Sequence, residues 1–394
     1  MAEPIRPGNL DAIDFLEIDA LLDGEERLLR DTVRQFVAQE ITPNVADWFE
    51  HATFPRELIK EMGSMGLLGM HLDGYGCAGT SAVQLGLAST ELEAGDSGVR
   101  SFVSVQSSLA MFPIRAFGSE QQRQRWLPDM ATGSAIGCFG LTESESGSDP
   151  GAMRTVAKRD GDDWILNGTK MWITNGSMAD VAVIWASTDS GIRGFIVPTD
   201  TSGFTANKIE RKMSLRISDT SELVLDNVRL PSDAVLPGVT GLKGPLSCLN
   251  EARFGILFGA VGAARSCYES ALAYSTERIQ FDRPIASFQL TQRKLVEMMI
   301  GVNNGMLLAL HLGRKRDAGT LSAEHVNFGK LVNVRMALDT ARQARSVLGA
   351  NGITLEYPVI RHMNNLESVY TYEGTNEIHT LVLGQAITGL SAFA

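Results

Sequence analysis

The sequence predicts an α+β protein in which a β-rich middle segment separates two helical segments. In the first and last thirds of the 394-residue chain, apolar residues recur at the spacing of one helical face. The middle third instead carries short runs of β-branched and aromatic residues between Gly, Asp, Ser and Pro. Because helices and strands are grouped rather than alternating, we do not expect a βαβ dinucleotide-binding fold, and a chain of this length is expected to form several domains.

The N-terminal α-helical domain is expected to cover residues 1–136. Its first helix is predicted to begin at Asp23, because Asp23-Gly-Glu-Glu26 resembles a capping box, and to end near Pro43. Further helical runs are Leu58–Met65, Ala82–Ala94 and Gln106–Phe117.

The middle β domain is expected over residues 137–237. Asn167-Gly168 predicts a hairpin between the strands Trp164–Leu166 and Thr169–Thr174, because Asn-Gly readily adopts the positive φ angles of a type I′ turn. Further strands are predicted at Val181–Ala186, Gly194–Val197 and Glu222–Leu225.

The C-terminal domain, residues 238–394, is expected to be a four-helix bundle. Helical periodicity returns after Leu236-Pro-Gly. The predicted helices are Cys248–Tyr274, Leu290–Leu312, Ala323–Leu348 and Gln385–Phe393.

Composition and charge argue against several classes of function. A formal net charge of -11 opposes binding to nucleic acid, which needs an excess of Lys and Arg. No apolar run approaches the length needed to span a bilayer, and the chain starts with neither a signal nor a transit peptide, so we expect a cytoplasmic location. The scattered cysteines predict no disulfide, and no histidine pair or Gly-x-Ser-x-Gly sequence indicates a metal site or a serine triad.

Glu373 is a candidate functional carboxylate near the C-terminus. It follows a helical run and precedes Gly374, which frees the backbone, and Thr375, which can cap the next helix. Such a turn points the carboxylate out of a loop held by two helices. On these three residues alone, a solvated loop glutamate is the commoner interpretation.

Two loops of the β domain are candidates for contact with a planar polar ligand. In Phe139–Asp149, glycines free backbone N–H groups beside hydroxyl side chains, and Met171–Asn175 adds an aromatic face. On composition alone, an interdomain linker and a core tryptophan are the commoner interpretations.

Taken together, four motifs resemble the acyl-CoA dehydrogenase flavoprotein family over nearly the whole chain. In the family's order and approximate spacing they are Cys138–Pro150, Met171–Asn175, Arg278–Phe281 with Pro284 and Gln289, and Tyr372–Thr375. The resemblance implies FAD as cofactor, an acyl-CoA substrate, electron-transfer flavoprotein as electron acceptor, and a homotetramer arranged as a dimer of dimers.

The resemblance also implies which residues hold FAD. Thr174 falls at the position that hydrogen-bonds flavin N5, and Trp172 falls against the ring. The other implied cofactor residues are Phe139, Leu141, Thr142, Gly147, Ser148, Ile173, Arg278, Gln280, Phe281, Gln289, Thr375 and Asn376. Among these, Arg278, Gln280 and Phe281 match positions at which a neighbouring subunit contacts the pyrophosphate and adenosine, and an arginine fork suits a phosphate.

By the same resemblance, Glu373 is the base that removes the α-proton of an acyl thioester while the β-hydride passes to the flavin. An ordinary carboxylate is too weak for that proton, so the site must exclude water and acidify the substrate. Tyr372 lies beside the base and matches the decarboxylating branch of the family.

The segment Glu93–Ser101 resembles the glutaryl-CoA dehydrogenase branch. A buried arginine is costly beside an apolar acyl chain and becomes favourable when the substrate ends in a carboxylate. The implied contacts of that distal carboxylate are Arg100 and Ser101, with Glu93 and Ser104 beside them. The implied contacts of the CoA moiety are Leu249, Asn250 and Arg253.

The expected activity is therefore FAD-dependent oxidative decarboxylation of glutaryl-CoA to crotonyl-CoA and carbon dioxide. One alternative is a non-decarboxylating dehydrogenase of another short-chain or dicarboxylic acyl-CoA, and Val99, where the branch usually has Tyr, leaves the chain length open. A second is a non-catalytic relative that binds flavin or a partner. The alternative interpretation of Arg100 itself is a salt-bridged arginine on a domain surface.

Overall fold

The computed structural model describes residues 11–393, and its elements group as the sequence predicts. The first ten residues, on which the expectation about targeting peptides depends, lie outside this range. The N-terminal helices are α1 (Gly24–Phe36), α2 (Val45–His51), α3 (Leu58–Ser64), α4 (Ala82–Gly95), α5 (Ser97–Ser104), α6 (Phe112–Phe117) and α7 (Glu120–Ala131).

The strands follow, and then the C-terminal helices. The strands are β1 (Gly137–Gly140), β2 (Val156–Asp160), β3 (Asp163–Thr174), β4 (Val181–Thr188), β5 (Gly191–Pro198), β6 (Phe204–Lys208), β7 (Thr220–Leu230), β8 (Ile279–Gln280) and β9 (Arg283–Pro284). The helices are α8 (Lys243–Glu277), α9 (Gln289–Asp317), α10 (Ala323–Val347), α11 (Val359–Thr371) and α12 (Asn376–Thr388). The α+β class with a β-rich middle is thus confirmed.

The capping box predicted for α1 is present. The Asp23 carboxylate accepts a hydrogen bond from the Glu26 N–H at 2.9 Å, and the Glu26 carboxylate accepts from the Asp23 N–H at 3.0 Å. Helices α2, α5 and α7 were not predicted from the sequence. For α7 a signal exists in the sequence, because Ser119 and Gln122 also form a capping box.

Seven strands form one sheet in the order β1-β4-β2-β3-β7-β6, with β5 also paired to β4. β1 runs parallel to β4, whereas β3 is antiparallel to both β2 and β7. The two faces of this sheet are covered by different hydrophobic clusters. Cys138, Ala182 and Ile184 pack among the sheet's own strands, while Phe139, Val183 and Trp185 pack against α6, α7 and the start of α8.

The hairpin turn predicted at Asn167-Gly168 is wrong. Strand β3 runs unbroken through both residues, and the turn back to β2 is made at Gly161, with φ 63°. Gly168 has φ 147° and lies at a β-bulge against β7, where a Cβ would come 2.5 Å from the Thr155 Oγ1. The Asn-Gly signal marked a bulge, which also requires the backbone freedom of glycine.

The C-terminal domain is built on the three long helices α8, α9 and α10. The helix predicted at Gln385–Phe393 is wrong in position, and α11 was not predicted. Helix α12 begins earlier because Thr375 caps it, accepting a hydrogen bond from the Ile378 N–H at 3.2 Å, and it ends at Gly389, with φ 73°.

Helix α9 is an exception to the expectation that no apolar run approaches the length needed to span a bilayer. Among the described residues it alone is long and apolar enough to cross a bilayer, with a mean hydropathy of 1.4 over its best window. Its buried residues, including Leu295, Met298 and Val302, pack in the same hydrophobic cluster as residues of α8 and α10. A core helix of a bundle passes the same length and composition test.

Buried Asp96 ties the three segments of the chain together and starts α5. Its Oδ1 accepts a hydrogen bond from the Gly98 N–H at 2.6 Å. Its Oδ2 accepts from Arg361 Nη1 at 2.6 Å and from Asn365 Nδ2 at 2.9 Å, both on α11. Asn365 Oδ1 in turn accepts from the Leu215 N–H at 2.8 Å, in the segment before β7.

We expect Arg361→Ala to lower the free energy of unfolding by about 3–5 kcal/mol, because it leaves the Asp96 charge buried without its cationic partner. Urea unfolding of the purified protein measures this. The control is Arg342→Ala, an exposed arginine of the same domain paired with Glu367, for which a loss below about 1 kcal/mol is expected. Equal losses for the two variants would contradict the role given to the Asp96–Arg361 pair.

Candidate active site

The loop between α11 and α12 carries Glu373 in a left-handed backbone conformation. Glu373 has φ 55° and Gly374 has φ 89°. The left-handed region is uncommon for a residue with a side chain and marks a segment constrained by its surroundings. The Glu373 N–H makes no hydrogen bond to any residue that the structure describes.

The Glu373 side chain is half-buried, and one of its carboxylate oxygens is shielded from water. Its Oε2 is fully shielded from solvent and has no hydrogen-bond partner among residues 11–393. Burial raises the pKa of Glu373, although the nearby positive charges of Arg253, Lys330 and Arg100 act in the opposite direction. A raised pKa on an unpartnered carboxylate is the property that general-base catalysis requires.

The structure brings Arg100, Glu93, Ser101 and Tyr372 together next to this loop. Arg100 on α5 is 2% exposed, its Nε donates to Glu93 Oε2 on α4, and its Nη2 donates to the Tyr372 hydroxyl. Ser101 Oγ lies 3.3 Å from the same hydroxyl. Despite the cost of burial, Glu93 and Tyr372 raise the pKa of Arg100, so the guanidinium stays charged.

Gly259 on α8 makes room for the buried pair. A Cβ at this position would come 2.2 Å from Glu93 Oε2 and 3.4 Å from Arg100 Nε. The second carboxylate oxygen, Glu93 Oε1, is buried and has no partner among the described residues. Ser104, at the last position of α5, is half-buried one turn beyond Arg100.

Of the three α8 residues expected to contact CoA, Arg253 is bonded to the loop of Glu373. Its Nε donates to the Glu373 carbonyl at 2.6 Å, and its Nη1 donates to Asn250 Oδ1 at 3.1 Å. Leu249 is half-buried on the same turn and packs with the cluster that contains Phe139. The guanidinium of Arg253 therefore holds the loop and lies near the candidate base.

The two β-domain loops meet through a buried ion pair. Lys170 Nζ donates to the Leu141 carbonyl at 3.0 Å and to Glu143 Oε1 at 2.8 Å. The Met171 N–H donates to the Thr142 carbonyl at 2.8 Å. These bonds set the loop that continues through Gly147 and Ser148, both exposed, against the end of β3.

Trp172 presents an exposed aromatic face at the end of β3. Its side chain is 60% exposed and its backbone has φ 64°. Ile173 is buried beneath it, and Thr174 is half-buried and paired in register with Thr220. An exposed indole beside a hydroxyl fits the face of a planar, hydrogen-bonding cofactor.

The residues expected to reach a neighbouring subunit lie on a separate exposed hairpin between α8 and α9. Strands β8 and β9 form it, and Phe281 at its tip is 88% exposed. Both tip residues, Phe281 and Asp282, have positive φ, as in a type I′ turn. Arg278, Gln280 and Gln289 are exposed as well.

Lys330 and His379, which lie behind the Glu373 loop, were not predicted as site residues. Lys330 is 1% exposed and donates to the Tyr372 and Gly374 carbonyls. The signal was a lysine four residues after Val326 and four before Val334, on the apolar stripe of a predicted helix. Within residues 11–393, no group of three His, Cys, Asp or Glu side chains is placed to hold a metal ion.

Comparison with known proteins assigns the family. Family models match residues 23–134 (acyl-CoA dehydrogenase, N-terminal domain), 138–228 (middle domain) and 240–388 (C-terminal domain). The human mitochondrial short-chain specific acyl-CoA dehydrogenase is 36% identical over 91% of this chain and 88% of its own length.

Two solved structures extend the comparison. A glutaryl-CoA dehydrogenase from Mycobacterium smegmatis is 66% identical, with a TM-score of 0.97, over 98% of this chain and 100% of that one. A second from the same organism, in complex with FADH2, is 62% identical, with the same TM-score and coverage. The chain belongs to the acyl-CoA dehydrogenase family.

Proposed function

We propose that this protein is an FAD-dependent dehydrogenase that oxidises and decarboxylates glutaryl-CoA. One observation carries the choice of substrate: the buried Arg100, paired with Glu93, donates to the hydroxyl of Tyr372, the residue directly before Glu373. An unsubstituted acyl chain offers a buried guanidinium no polar partner, and the guanidinium is costly to desolvate. The similarity to two glutaryl-CoA dehydrogenases supports the same substrate.

FAD is the proposed cofactor, and the residues present fit it. The exposed indole of Trp172 offers the isoalloxazine a stacking face, and the hydroxyls of Thr142, Ser148 and Thr174 offer hydrogen bonds. The bound FADH2 of the similar structure supports this. When bound, FAD supplies the acceptor for the hydride that leaves the β-carbon.

Glu373 is the proposed base for the α-proton. Its carboxylate accepts the proton, and its free N–H donates a hydrogen bond to the thioester oxygen, where negative charge develops. Glu373 thus supplies both the base and a hydrogen-bond donor that stabilises the enolate-like transition state. Removal of the α-proton and the β-hydride leaves a trans-2-enoyl thioester.

The guanidinium of Arg100 is proposed to hold the distal carboxylate of the substrate, with Ser101 as a second donor. Loss of that carboxylate as carbon dioxide leaves its bonding electron pair on the γ-carbon, delocalised into the enoyl thioester. The γ-carbon then takes a proton, and protonated Glu373 is the proposed donor. The products are crotonyl-CoA and carbon dioxide, and Glu373 returns to its ionised form.

The electron acceptor and the oligomeric state are proposed from membership of the family. Electron-transfer flavoprotein is proposed as the acceptor of the two electrons, and a homotetramer as the assembly. Exposed apolar residues of the C-terminal domain support a subunit interface there, among them Phe281, Leu290, Ile353, Ile387 and Leu390. The domain boundaries at 136/137 and 237/238, and the cytoplasmic location, also stay proposals.

Anaerobic titration of the purified FAD-loaded protein tests the activity. We expect glutaryl-CoA to bleach the flavin and to give a higher kcat/KM than butyryl-CoA. Good turnover of butyryl-CoA with none of glutaryl-CoA would favour the second candidate, a short-chain dehydrogenase, to which the similarity with the human enzyme points. No bleaching by either thioester would favour a non-catalytic relative.

The rate of flavin reduction is expected to fall as the pH is lowered through the raised pKa of Glu373. The carboxylate must be ionised to accept a proton, and burial raises its pKa above the ordinary value for glutamate. Stopped-flow measurement at saturating substrate gives the pH of half-maximal rate. A rate that stays constant down to the ordinary glutamate pKa of about 4.3 would contradict the assignment.

A further inference from the structure

Three consecutive carbonyl groups of the Glu373 loop are held by two buried cations. Lys330 Nζ on α10 donates to the Tyr372 carbonyl and, at 2.7 Å, to the Gly374 carbonyl. Arg253 Nε on α8 donates to the Glu373 carbonyl at 2.6 Å. Carbonyls of the loop thus face two helices of the C-terminal domain.

Lys330 makes no salt bridge with a carboxylate among the described residues, although the charge of Glu373 lies close enough to raise its pKa. It is 1% exposed, and its hydrogen bonds to the described residues are the two loop carbonyls. Burial lowers the pKa of Lys330 well below its ordinary value. A buried lysine without a salt bridge is costly, and the hydrogen bonds to the loop carbonyls offset part of that cost.

Peptide geometry links Lys330 to the Glu373 N–H. In a planar trans peptide the C=O and N–H of one unit point in opposite directions. The Tyr372 carbonyl and the Glu373 N–H belong to the same unit. When Lys330 fixes that carbonyl behind the loop, the N–H is fixed toward the other side, where it is free of partners in the described structure.

We infer that Lys330 is a positioning residue for the reaction: it aims the Glu373 N–H at the thioester oxygen and keeps the left-handed turn that presents the carboxylate. The role of Lys330 in the reaction rests on the proposed function. Its role in holding the loop rests on the hydrogen bonds to the loop carbonyls. Neither role involves contact of Lys330 with substrate or cofactor.

The charge of Lys330 also bears on the titration of Glu373. The charged or titratable groups around Glu373 are Arg253 and Cys248 on α8, Arg100 on α5 with Glu93 on α4, Lys330 on α10, His379 on α12 and Tyr372 beside it. Burial raises the pKa of the Cys248 thiol, so it carries no charge. Burial, with help from Lys330 and Arg253, lowers the pKa of His379 to about 3, so this ring is neutral. Removing the cation of Lys330 is therefore expected to raise the pKa of Glu373.

Two substitutions separate the hydrogen bonds of Lys330 from its charge. Lys330→Met removes both, whereas Lys330→Gln keeps an NH2 donor without charge. The control is Lys212→Met, because Lys212 also donates to two backbone carbonyls, those of Leu215 and Ser218, in the segment before β7. All variants are compared as FAD-loaded proteins with wild type.

Hydrogen exchange of the loop is the first readout and does not depend on activity. Amides of residues 372–376 are expected to exchange at least about tenfold faster in Lys330→Met than in wild type, and no faster in Lys212→Met. Unchanged exchange in Lys330→Met would overturn the inference, whatever the activity of the wild-type protein.

Kinetics are the second readout. In Lys330→Met we expect kcat for flavin reduction to fall about 10²-fold with KM nearly unchanged, the effect of misplacing a reacting group by about 1 Å. The acid limb of the pH profile moves to higher pH, and Lys330→Gln restores part of kcat but not the pH profile.

A Lys330→Met variant with normal kcat and pH profile would overturn the role in the reaction. A wild-type protein that reduces no acyl-CoA, with loop exchange still dependent on Lys330, would refute the proposed function and leave the loop assignment standing.

Discussion

Replacing Glu373 with Gln is expected to lower the rate of flavin reduction by glutaryl-CoA about 10⁴-fold, near the upper limit for removal of a general base. The amide keeps the size of the side chain but cannot accept the α-proton. The Glu373 N–H is retained, so substrate binding should change little. Stopped-flow absorbance of the flavin under anaerobic conditions measures the rate.

The matched control for this variant is Glu367→Gln. Glu367 lies on α11, six residues before the base, and its side chain is exposed in an ion pair with Arg342. The rate for this control should equal that of wild type. A Glu373→Gln variant that keeps its flavin and loses less than tenfold in rate would show that another group removes the proton.

Removing the guanidinium of Arg100 is expected to act selectively on the dicarboxylic substrate. We expect kcat/KM for glutaryl-CoA to fall about 10²–10³-fold in Arg100→Ala, the range for loss of one partner of a buried charge pair. The value for butyryl-CoA, which has no distal carboxylate, should change less than about tenfold. Steady-state kinetics with the two thioesters measure the ratio.

The single variant leaves Glu93 buried without its cation, so the double variant Glu93→Gln/Arg100→Ala is measured beside it. The double variant should show the same selectivity between the two thioesters and a higher free energy of unfolding than Arg100→Ala. The control is Arg34→Ala, since Glu91 keeps its second partner Arg265 when Arg34 is lost. Equal losses on both thioesters would contradict the assignment of Arg100 to the distal carboxylate.

Local signals in the sequence predicted much of the fold. The Asp23 capping box, the Thr375 cap and the long apolar periodicities all describe contacts within a few residues, and the structure has each of them. The signal at Asn167-Gly168 was misinterpreted because a type I′ turn and a β-bulge both need glycine's backbone freedom. Only pairing with β7, more than fifty residues away, distinguishes the two.

The site depended more on resemblance than on local signals. Arg100 and Tyr372 are 272 residues apart, and no spacing rule predicts that one donates a hydrogen bond to the other. Lys330 was missed because a lysine within a helical run is usually exposed. Its place is explained only by the carbonyls of a loop that packs against α10 after folding.

Analysis of the thioester product tests the central proposal most directly. The FAD-loaded protein is incubated with glutaryl-CoA and an artificial electron acceptor, and mass spectrometry identifies the CoA ester while released carbon dioxide is quantified. We expect crotonyl-CoA and carbon dioxide in equal amounts, with neither formed by Glu373→Gln. Accumulation of an intact five-carbon enoyl-CoA without carbon dioxide would contradict the proposed decarboxylation.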